Sequence, residues 1–546
     1  MFNAFNVTDL ALVDQKPASA ARRSLPDFQL MLNTPDNSGR AGRSRSGCNE
    51  CRRRKLGITC VWRDPDQIRN KNKKRKTNKE IPPETAPEST DQMLIKTPTH
   101  FTAVSSPGSP AHSLIDMLKG HVQFIPDVLS PQKSLFSLPM MQSLNQTENE
   151  YLDYYVNCVS KTVSILPEET NFFLSLYIPL AAKNTSILHA LLGWGGLFLA
   201  GSKENSTPLK YIKSSLNLCS DKLKAPFLTD NDKLELVSVY TILCAAEICA
   251  GDVKDWYKYF RKLHEFIVDE SKGNLRALVQ LLGRSEDAKW LISNFLYHDV
   301  LSSTSHQTGT IFTSEQYCEA LDIGSSSMRL LDSGSVCDPL QGCVRPLYVL
   351  LGEIANTRTM LVSMEEELEQ ITDKEEYDKK RLDYLTLLDL SYKDLDIRIR
   401  NTEPHTRSLL FLKNDEELEH HHTLFETYKL SLQIYLRMMI RKTPPALPEI
   451  QLLLLELKPC LDIVLNTSVQ AALCFPFLVA GCASVTKEDR KEMSGKLHQI
   501  SSKFPVKNFE RILVVIRKVW KNNNGGWKCV YWFDVAESMG WTLSLA

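Results

Sequence analysis

A chain of 546 residues is too long for one small hydrophobic core, so we expect at least one large domain with attached segments. Lys and Arg together number 65, as do Asp and Glu, which excludes a uniformly basic or acidic protein. The balance is uneven, however, because residues 40–79 hold 15 basic and 3 acidic residues. A basic stretch on an otherwise acidic chain indicates a polyanion partner such as nucleic acid, with a solvated charged tail as the alternative.

The cysteines and the apolar runs argue against a secreted or membrane-spanning protein. Most of the 14 cysteines are single and lie in apolar runs such as YTILCAAEICAG, which is typical of reduced thiols inside the cell. The N-terminus MFNAFNVTDLALVDQK lacks the features of a signal peptide. The longest charge-free run, between Asp462 and Lys487, contains Asn466, Gln470 and Pro476, and predicts a buried helix pair rather than a membrane span.

Three segments without sustained hydrophobic periodicity come first along the chain. Residues 1–40 are polar and mixed, and we expect them to be disordered. Residues 41–79 form the basic segment, which contains three cysteines. Residues 80–147 begin with six prolines among Ser, Thr and Glu between positions 80 and 112 and continue as a transitional stretch, which predicts a disordered linker.

From residue 148 to residue 546, apolar residues recur at three- and four-residue spacing, the mark of amphipathic helices. The first such stripe comprises Leu152, Tyr155, Val156, Val159 and Val163. The second helix is predicted between a polar cap at Asn184–Ser186 and Gly201. Further helices are predicted at Leu234–Ala250, Trp256–Val268, Trp290–Ser302, Leu347–Leu361, Leu418–Met439, Ile450–Leu465 and Phe509–Trp520. Four tryptophans are predicted to lie in the core: Trp194, Trp256, Trp290 and Trp520.

Because alternating strand patterns are almost absent, the predicted fold class is all-α, a large multi-helix domain with helices packed as antiparallel pairs. The charged stretch that starts at Met364 predicts one helix or a helix pair. No repeat of fixed period is present, so the sequence does not indicate a regular solenoid.

The basic segment contains a short cysteine motif, RSRSGCNECRRRKLGITCVWRD. Cys48 and Cys51 are separated by two residues, a spacing that lets two thiolates reach one zinc ion, and Cys60 follows after eight residues. A closed structural zinc site needs four ligands, and the next cysteine, Cys158, lies beyond the linker. By spacing alone, the three thiolates are a weak indication of zinc.

The residues around these cysteines resemble a known module. GCNECRRRK is similar to the opening of the fungal binuclear-cluster (Zn2Cys6) transcription factors, and LGITCVW is similar to the close of the same module. In that family six cysteines hold two zinc ions, and the basic run after the second cysteine forms the DNA-facing helix. The resemblance implies that Cys48, Cys51 and Cys60 are the first, second and sixth ligands. The other three ligands are missing between Lys55 and Leu56.

The missing ligands have a physical consequence. A module of this size folds because metal binding supplies the free energy, about 10–16 kcal/mol for structural zinc. Three thiolates could bind one zinc ion incompletely, but they cannot close a cluster of two ions. We therefore predict that the chain as written does not form the DNA-binding fold of the family. A gene model or transcript that omits a short internal piece is the first explanation, and a degenerate paralogue is the second.

With the missing piece restored, the resemblance implies a role for each basic residue. Arg52, Arg53 and Arg54 would contact phosphates, and Lys55 corresponds to the position that reads the guanines of CGG triplets. The run formed by Lys71, Lys73, Lys74, Arg75 and Lys76 is interpreted as a nuclear localisation signal with added phosphate contacts, and the alternative is a solvated charge run.

The long helical region also resembles a family. EYLDYYVNCVSKTVSILPEETNFF, WLISNFLYHDVLSSTSHQTGTIF and CFPFLVAGCASVTKEDR are similar, in this order, to parts of the second fungal-specific transcription factor domain. That domain is an all-α regulatory region found behind such zinc modules. The resemblance implies that residues 148–546 regulate activity, and it is greatest to regulators of nitrogen and amino-acid catabolism.

Polar groups in this region form no recognisable catalytic constellation. His420–His422 occupy consecutive helical positions that point 100° apart, so they cannot converge on one ion, and we interpret them as a partly exposed helix face. His298, Asp299 and His189 are interpreted as core groups, since no nucleophile or metal partner is evident. The glycines of LLGWGG lack the strand–loop–helix setting that a phosphate loop requires.

The sequence therefore predicts a nuclear, DNA-binding regulator of RNA polymerase II genes and not an enzyme. The implied cofactor is zinc, and the implied partners are double-stranded DNA with CGG triplets and transcriptional co-regulators. Homodimer formation and monomeric binding both remain open. The alternative function is a regulator without DNA contact that acts through protein partners. A helical body of this size can also hold a small effector, although no polar constellation in the sequence marks its place.

Overall fold

The computed structural model of the protein describes residues 143–200, 206–282, 286–321, 338–503 and 506–546. All of them belong to the second of two compact units of the chain, Ser105–Ala546. The predicted segments 1–40 and 41–79, and nearly all of 80–147, lie outside the described residues. The predicted all-α class is confirmed, and the described residues contain no strand.

The first part of the described chain, up to residue 321, forms eleven α-helices. A π-helical turn, Tyr155–Val159, joins the first two of them. The α-helices are α1 (Gln146–Tyr154), α2 (Ser160–Val163), α3 (Phe172–Ser175), α4 (Tyr177–Ala181), α5 (Thr185–Ala200), α6 (Ser206–Leu223), α7 (Asp230–Cys249), α8 (Trp256–Ser271), α9 (Leu275–Leu281), α10 (Glu286–Ser303) and α11 (Ser314–Ala320).

The second part of the chain, from residue 338, forms nine further α-helices among its described residues. Short 3-10 turns precede two of them, at Gly342–Val344 and Ser468–Leu473. The α-helices are α12 (Arg345–Gln370), α13 (Lys374–Asn401), α14 (Thr406–Leu409), α15 (Asp415–Met439), α16 (Pro448–Val464), α17 (Cys474–Ala483), α18 (Lys487–Lys503), α19 (Asn508–Asn522) and α20 (Trp532–Ser538).

The helices predicted from hydrophobic periodicity are all present, and polar caps extend several of them beyond the apolar stripe. Thr229 caps α7 through a reciprocal pair of hydrogen bonds with Asp232, so this helix begins four residues before the predicted Leu234. The side chain of Asn414 accepts a hydrogen bond from the backbone N–H of Glu417 and caps the start of α15. The predicted boundaries therefore locate the buried part of each helix better than its ends.

Two expectations about the second part are refined by the structure. The charged stretch after Met364 is a helix pair, because α12 ends at Gln370 and Asp373 caps the start of α13. The apolar run from Asp462 to Lys487 is not a pair of α-helices but the 3-10 turn followed by the single buried helix α17. No helix among the described residues is long and apolar enough to cross a membrane.

The helices pack in two neighbouring groups. In the first group α5 is central and contacts α1, α4, α6 and α7. In the second group α15 is central and contacts α12, α13, α16 and α17. Helix α10 joins the groups, since it packs against both α7 and α12. Consecutive helices such as α5 and α6 or α15 and α16 form close pairs, as expected for helices joined by short connections.

The end of the chain is tied back to its middle by hydrogen bonds. The indole N–H of Trp256 donates to the carbonyl oxygen of Thr542 at 2.7 Å, and that of Trp532 donates to the carbonyl of Thr304 at 2.9 Å. Of the four tryptophans predicted as core, Trp520 is an exception because its side chain is only partly buried. The other three are fully buried, at 1% exposure or less.

Candidate ligand cavity of the helical domain

The structure gives no geometry for the predicted zinc, DNA and nuclear-localisation residues. All of them lie between positions 48 and 76, outside the described residues: Cys48, Cys51 and Cys60; Arg52, Arg53, Arg54 and Lys55; Lys71, Lys73, Lys74, Arg75 and Lys76. Within the described residues, no group of three or more His, Cys, Asp or Glu side chains is placed to hold a metal ion. The site that the structure does describe is a cavity in the helical domain.

The cavity lies where the two helix groups meet. Atoms leave about 550 Å³ unfilled there, a volume that includes the open mouth. Helices α7 and α10 supply one side, and α3, α4 and α5 supply aromatic side chains. The wall is completed from distant parts of the chain by Leu340, Ala471, Val506, Asn508 and Ala546.

Four aromatic residues give the wall its mainly apolar character. Phe173, Tyr177, Trp194 and Tyr297 all line the cavity, and all are less than 5% exposed. The rings of Phe173 and Trp194 meet edge to face with centroids 6.0 Å apart, and those of Phe173 and Tyr177 at 6.1 Å. Such contacts hold aromatic side chains in fixed orientations, so the wall is preformed rather than fluid.

The wall also contains polar atoms that the protein leaves unpaired. The hydroxyl of Tyr177 and the side-chain oxygens of Asn294 and Asn508 are buried and accept or donate no hydrogen bond among the described residues. Each of these three residues is at most 4% exposed. The indole nitrogen of Trp194, another wall residue, is a fourth such atom. Buried polar atoms are nearly always paired in folded proteins, so four exceptions around one cavity mark it as unusual.

His298 adds a further hydrogen-bonding atom to the wall. Its Nδ1 lies 2.9 Å from the carbonyl oxygen of Asn294, which fixes Nδ1 as the donor and leaves Nε2 as an acceptor. Burial lowers the pKa of His298 to about 4, because the charged ring would lose its hydration. At neutral pH the imidazole is therefore uncharged. The wall includes no charged side chain among its described residues.

The neighbouring residue, Asp299, has a different environment. Its Oδ2 accepts a hydrogen bond from the hydroxyl of Tyr317 at 2.5 Å and another from the backbone N–H of Ile311 at 2.9 Å. Burial raises the pKa of this carboxyl to about 7 despite these bonds. His298 and Asp299 thus do not bond to each other, and the interpretation of both as core groups agrees with their burial at 5% and 2% exposure.

The three consecutive histidines are not equivalent, contrary to the prediction of one shared face. His421 is buried at 1% exposure, whereas His420 and His422 are partly exposed. Burial lowers the pKa of His421 to about 4, so its ring is neutral at physiological pH. The description as one partly exposed face is therefore wrong for the central residue, because α15 packs inside the second helix group.

The described cysteines are free thiols. Six of the ten are buried, and one of them, Cys249, lines the cavity. Burial raises the pKa of the Cys249 thiol to about 12, so it stays protonated and is a poor nucleophile. The chemistry that the wall offers is therefore hydrogen bonding and apolar contact.

We expect the two neighbouring buried tyrosines of this region to respond differently to loss of their hydroxyls. Tyr155 donates to the carbonyl of Phe173 at 2.9 Å, so Tyr155→Phe should lower the free energy of unfolding by about 1 kcal/mol. Tyr177→Phe removes an unpaired hydroxyl and should leave the free energy of unfolding unchanged or raise it. Urea denaturation followed by circular dichroism measures the free energy of unfolding of both variants. Equal losses of stability would contradict the assignment of the Tyr177 hydroxyl as unpaired.

Comparison with known proteins identifies the class to which this helical domain belongs. Residues 150–546 match the fungal specific transcription factor domain, so the chain belongs to that family. An uncharacterized transcriptional regulatory protein of Schizosaccharomyces pombe is 26% identical over 539 residues, which cover 92% of this chain and 97% of that protein. The transcriptional activator protein UGA3 of Saccharomyces cerevisiae is 26% identical over 419 residues, 70% of this chain and 75% of that protein. No solved structure matches the chain.

The predicted membership of residues 148–546 in the fungal regulatory-domain family is confirmed, whereas the zinc-cluster resemblance stays a prediction. Sequence reasoning did not find the cavity, although it identified His298 and Trp194 as buried. Its wall draws on residues from Val163 to Ala546, and no local pattern connects them. The only feature of the sequence that could have pointed to the cavity is the presence of polar residues, such as Asn294, inside apolar helices.

Proposed function

We propose that the protein is a nuclear transcription factor that binds DNA through its basic cysteine segment and regulates RNA polymerase II genes through its helical domain. The observation that supports this most is the combination of the family match over residues 150–546 with the Cys48–Cys60 segment upstream of it. Both relatives named above are transcriptional regulators by name. Catalysis has no support from these relatives or from the cavity wall.

The target we propose is DNA with CGG triplets, in genes of nitrogen or amino-acid metabolism. Arg52, Arg53 and Arg54 would contact phosphates, and Lys55 would contact guanine edges in the major groove. Phosphate contacts make affinity depend on salt but not on sequence, whereas base contacts create the preference for one site. The two groups of residues can therefore be told apart by experiment.

A second candidate function is regulation without DNA contact, through protein partners of the helical domain. It is favoured by the donor set, since Cys48, Cys51 and Cys60 provide only three of the six thiolates of a two-zinc cluster. Because only three thiolates are present, we expect native mass spectrometry of the full chain to find at most one bound zinc ion. Two bound ions would show that the cluster forms by some other ligand set.

Fluorescence anisotropy with the full chain decides between the two functions. A DNA-binding regulator should prefer a CGG duplex over a scrambled duplex by at least about 100-fold, with affinity that falls as salt rises. Lys55→Ala should remove the preference, and Arg53→Ala should weaken both duplexes equally. The positive control is the same chain with a segment inserted between Lys55 and Leu56 that supplies the three missing cysteines. Failure of the natural chain to bind either duplex, with specific binding by the control, selects the second function.

A further inference from the structure

We propose that the outward surface of α18 and α19 is a second DNA contact, at which lysine and arginine side chains bind the phosphates of a duplex without reading its sequence. This contact rests on the proposed function, because its partner is the same DNA, but it belongs to the helical domain and not to the cysteine segment.

Positive charge is concentrated at this end of the chain. Residues 487–528 contain 11 Lys or Arg against 4 Asp or Glu, whereas the whole chain contains 65 of each kind. Six of the basic side chains are exposed and form what we call the basic face: Lys487, Lys491, Arg517, Lys518, Lys521 and Lys528. A concentrated positive surface attracts polyanions.

The charges of the basic face have no internal counter-ions. None of the six side chains forms an ion pair with a carboxylate in the part of the chain that the structure describes. Helix α18 uses its carboxylates on another side, where Asp489 and Glu492 bond to Lys458 of α16 at 2.7 and 2.6 Å. The two exposed carboxylates of this stretch, Glu488 and Glu510, lie in the first turns of α18 and α19. The positive charge is therefore available to a partner.

The packing of α18 against α19 places these charges on one surface. Arg517 donates a hydrogen bond to Nε2 of His498 at 2.9 Å across the pair. Arg490, near the start of α18, donates to the carbonyl oxygens of Asn523 and Asn524 at 3.1 and 3.0 Å. The two helices therefore run antiparallel, and the basic residues at the start of α18 lie beside those at the end of α19.

The spacing of the charges matches a backbone of closely spaced phosphates. Lys521 lies three residues after Lys518 and four after Arg517, so the three share one side of α19. Lys487 and Lys491 are four residues apart on α18. At 1.5 Å per residue, each such step covers about 5–6 Å along the helix. Because a duplex carries one charge per about 1.7 Å of its axis, phosphates are within reach of every position in such a row.

The composition of the basic face favours DNA over an acidic protein. Protein–protein interfaces are depleted in lysine and have an apolar core, whereas protein–DNA interfaces are polar and strongly positive. Five of the six cations of the basic face are lysines. The exposed large apolar side chains among the described residues of this stretch are Val514, at 37% exposure, and Trp527, at 69%. Two such side chains do not provide an apolar core, and phosphate contacts do not require one.

Reversal of two charges on α19 tests this contact in the full chain with the CGG and the scrambled duplex. Lys518→Glu combined with Lys521→Glu should weaken the binding of both duplexes by the same factor, at least about tenfold, in fluorescence anisotropy at low salt. The slope of log affinity against log salt should become shallower by about two, because each lost phosphate contact lowers it by about one. Unchanged affinity, or a loss confined to the CGG duplex, overturns the proposal.

The matched control is Lys210→Glu combined with Lys213→Glu on α6. These two lysines are exposed and three residues apart, and their reversal changes the net charge by the same amount. Because salt screens charges that lie far from the duplex, the affinity should change by less than about twofold. A loss as large as that of the α19 pair would show a response to net charge alone and would overturn the proposal.

A second pair of substitutions, on α18, separates loss of contact from loss of folding. Lys521 lies in the last turn of α19, where a glutamate destabilises a helix, whereas Lys487 is the first residue of α18, where a glutamate stabilises it. Lys487→Glu combined with Lys491→Glu should therefore weaken DNA binding without lowering the thermal midpoint. Unchanged DNA binding in this pair, with a lowered midpoint in the α19 pair, would assign the loss on α19 to unfolding and overturn the proposal.

Poly-L-glutamate tests the other class of partner, an acidic protein segment. An extended polypeptide carries at most one charge per about 3.3–3.6 Å, so it offers fewer charges to the basic face than a duplex does. The α19 pair should therefore weaken poly-L-glutamate binding less than it weakens duplex binding. An equal or larger loss with poly-L-glutamate assigns the basic face to an acidic protein and overturns DNA as its partner.

The same measurements separate this contact from the proposed function. Binding of the CGG duplex by the six-cysteine control chain that the α19 pair leaves unchanged would keep the proposed function and overturn the second contact. Absence of a CGG preference in every chain, with binding of both duplexes that depends on Lys518 and Lys521, would keep the second contact and overturn the proposed target. Failure of the natural chain to bind either duplex at low salt overturns the second contact as well.

Discussion

Gly195→Ala is expected to lower the free energy of unfolding by at least about 2 kcal/mol, although alanine is the better helix former. Gly195 lies in α5, the central helix of the first group, where α1 crosses it. A Cβ atom at this position would lie 2.1 Å from the backbone carbonyl oxygen of Tyr151 and 3.2 Å from the Cβ of Tyr155. Because the nearest atom belongs to the backbone, no rotation of a side chain relieves the overlap.

The neighbouring glycines show that α5 is closely approached on more than one side, by α6 at Gly193 and by both α1 and α6 at Gly196. Cβ atoms at Gly193 and Gly196 would lie 2.6 Å from Ile212 Cγ1 and 2.8 Å from the ring of Tyr151, respectively. Those contacts involve side chains, so we expect smaller losses there than at Gly195. The motif LLGWGG, whose sequence context excludes a phosphate loop, lies inside α5 and allows the helices to pack at short distance.

Gly495→Ala is the matched control. Gly495 lies in α18, is exposed, and has no atom within 4 Å of the place that a Cβ would occupy. Here alanine only restricts the unfolded chain and improves the helix, so the free energy of unfolding should rise by about 0.5–1 kcal/mol. Denaturation of both variants under the same conditions measures the difference. A loss of stability in Gly195→Ala together with a gain in Gly495→Ala supports the close packing of α5. A gain of stability in Gly195→Ala would contradict it.

Asp299 is expected to make the stability of the protein fall as pH rises from 5 to 8. The pKa of this carboxyl is about 7 in the folded protein against an ordinary value of 3.8. Between these values the unfolded chain has released the proton and the folded chain still holds it, so each rise in pH favours unfolding. From pH 5 to pH 8 the loss amounts to about 2.5 kcal/mol for this one group.

Asp299→Asn should abolish this contribution. The amide oxygen of asparagine is able to accept the hydrogen bonds from Tyr317 and Ile311, and it has no proton to lose. The quantity to measure is the difference in unfolding free energy between the two proteins at pH 5 and pH 8. This difference cancels the pH dependence of buried histidines such as His298 and His421, which is the same in both proteins.

Asp232→Asn is the control for this experiment, because the pKa of Asp232 is shifted in the direction opposite to that of Asp299. Hydrogen bonds from Lys222 and Thr229 lower the pKa of Asp232 to about 2, so its stabilising effect is complete above pH 4 and is lost only in acid. The variant should be less stable at both pH values without a change in slope between pH 5 and pH 8. A slope for Asp299→Asn that equals that of the natural chain would show that the carboxyl is ionised throughout.

Much of the helical architecture could be predicted from local patterns. The apolar stripe that starts at Trp256 predicted α8, and the stripe that starts at Leu418 predicted the apolar part of α15. These features depend on residues three or four positions apart, and helix geometry alone brings such residues together. Two expectations were less accurate. The run before Lys487 forms a 3-10 turn and one α-helix in place of a helix pair, and the burial of His421 depends on how α15 packs.

The cavity could not be predicted because its wall depends on how distant helices cross. Tyr177, Asn294 and Asn508 are separated by more than a hundred residues at each step, and their unpaired polar atoms become unusual only once they line the same space. Their sequence neighbourhoods are those of ordinary buried residues. Burial and hydrogen-bond pairing are properties of the packed chain, so they have no local signature.

The amino-acid sequence by itself determined the helical class, the membership of the C-terminal region in a regulatory family, and the separate basic segment with its three thiolates. Only the tertiary structure decided that Gly195 lies against a backbone carbonyl, that burial raises the pKa of Asp299 to about 7, and that polar groups from distant parts of the chain line one cavity. The physical reason is the range of the forces concerned. Helix propensity and periodicity act within a turn, whereas steric contact and desolvation depend on which parts of the chain finally meet.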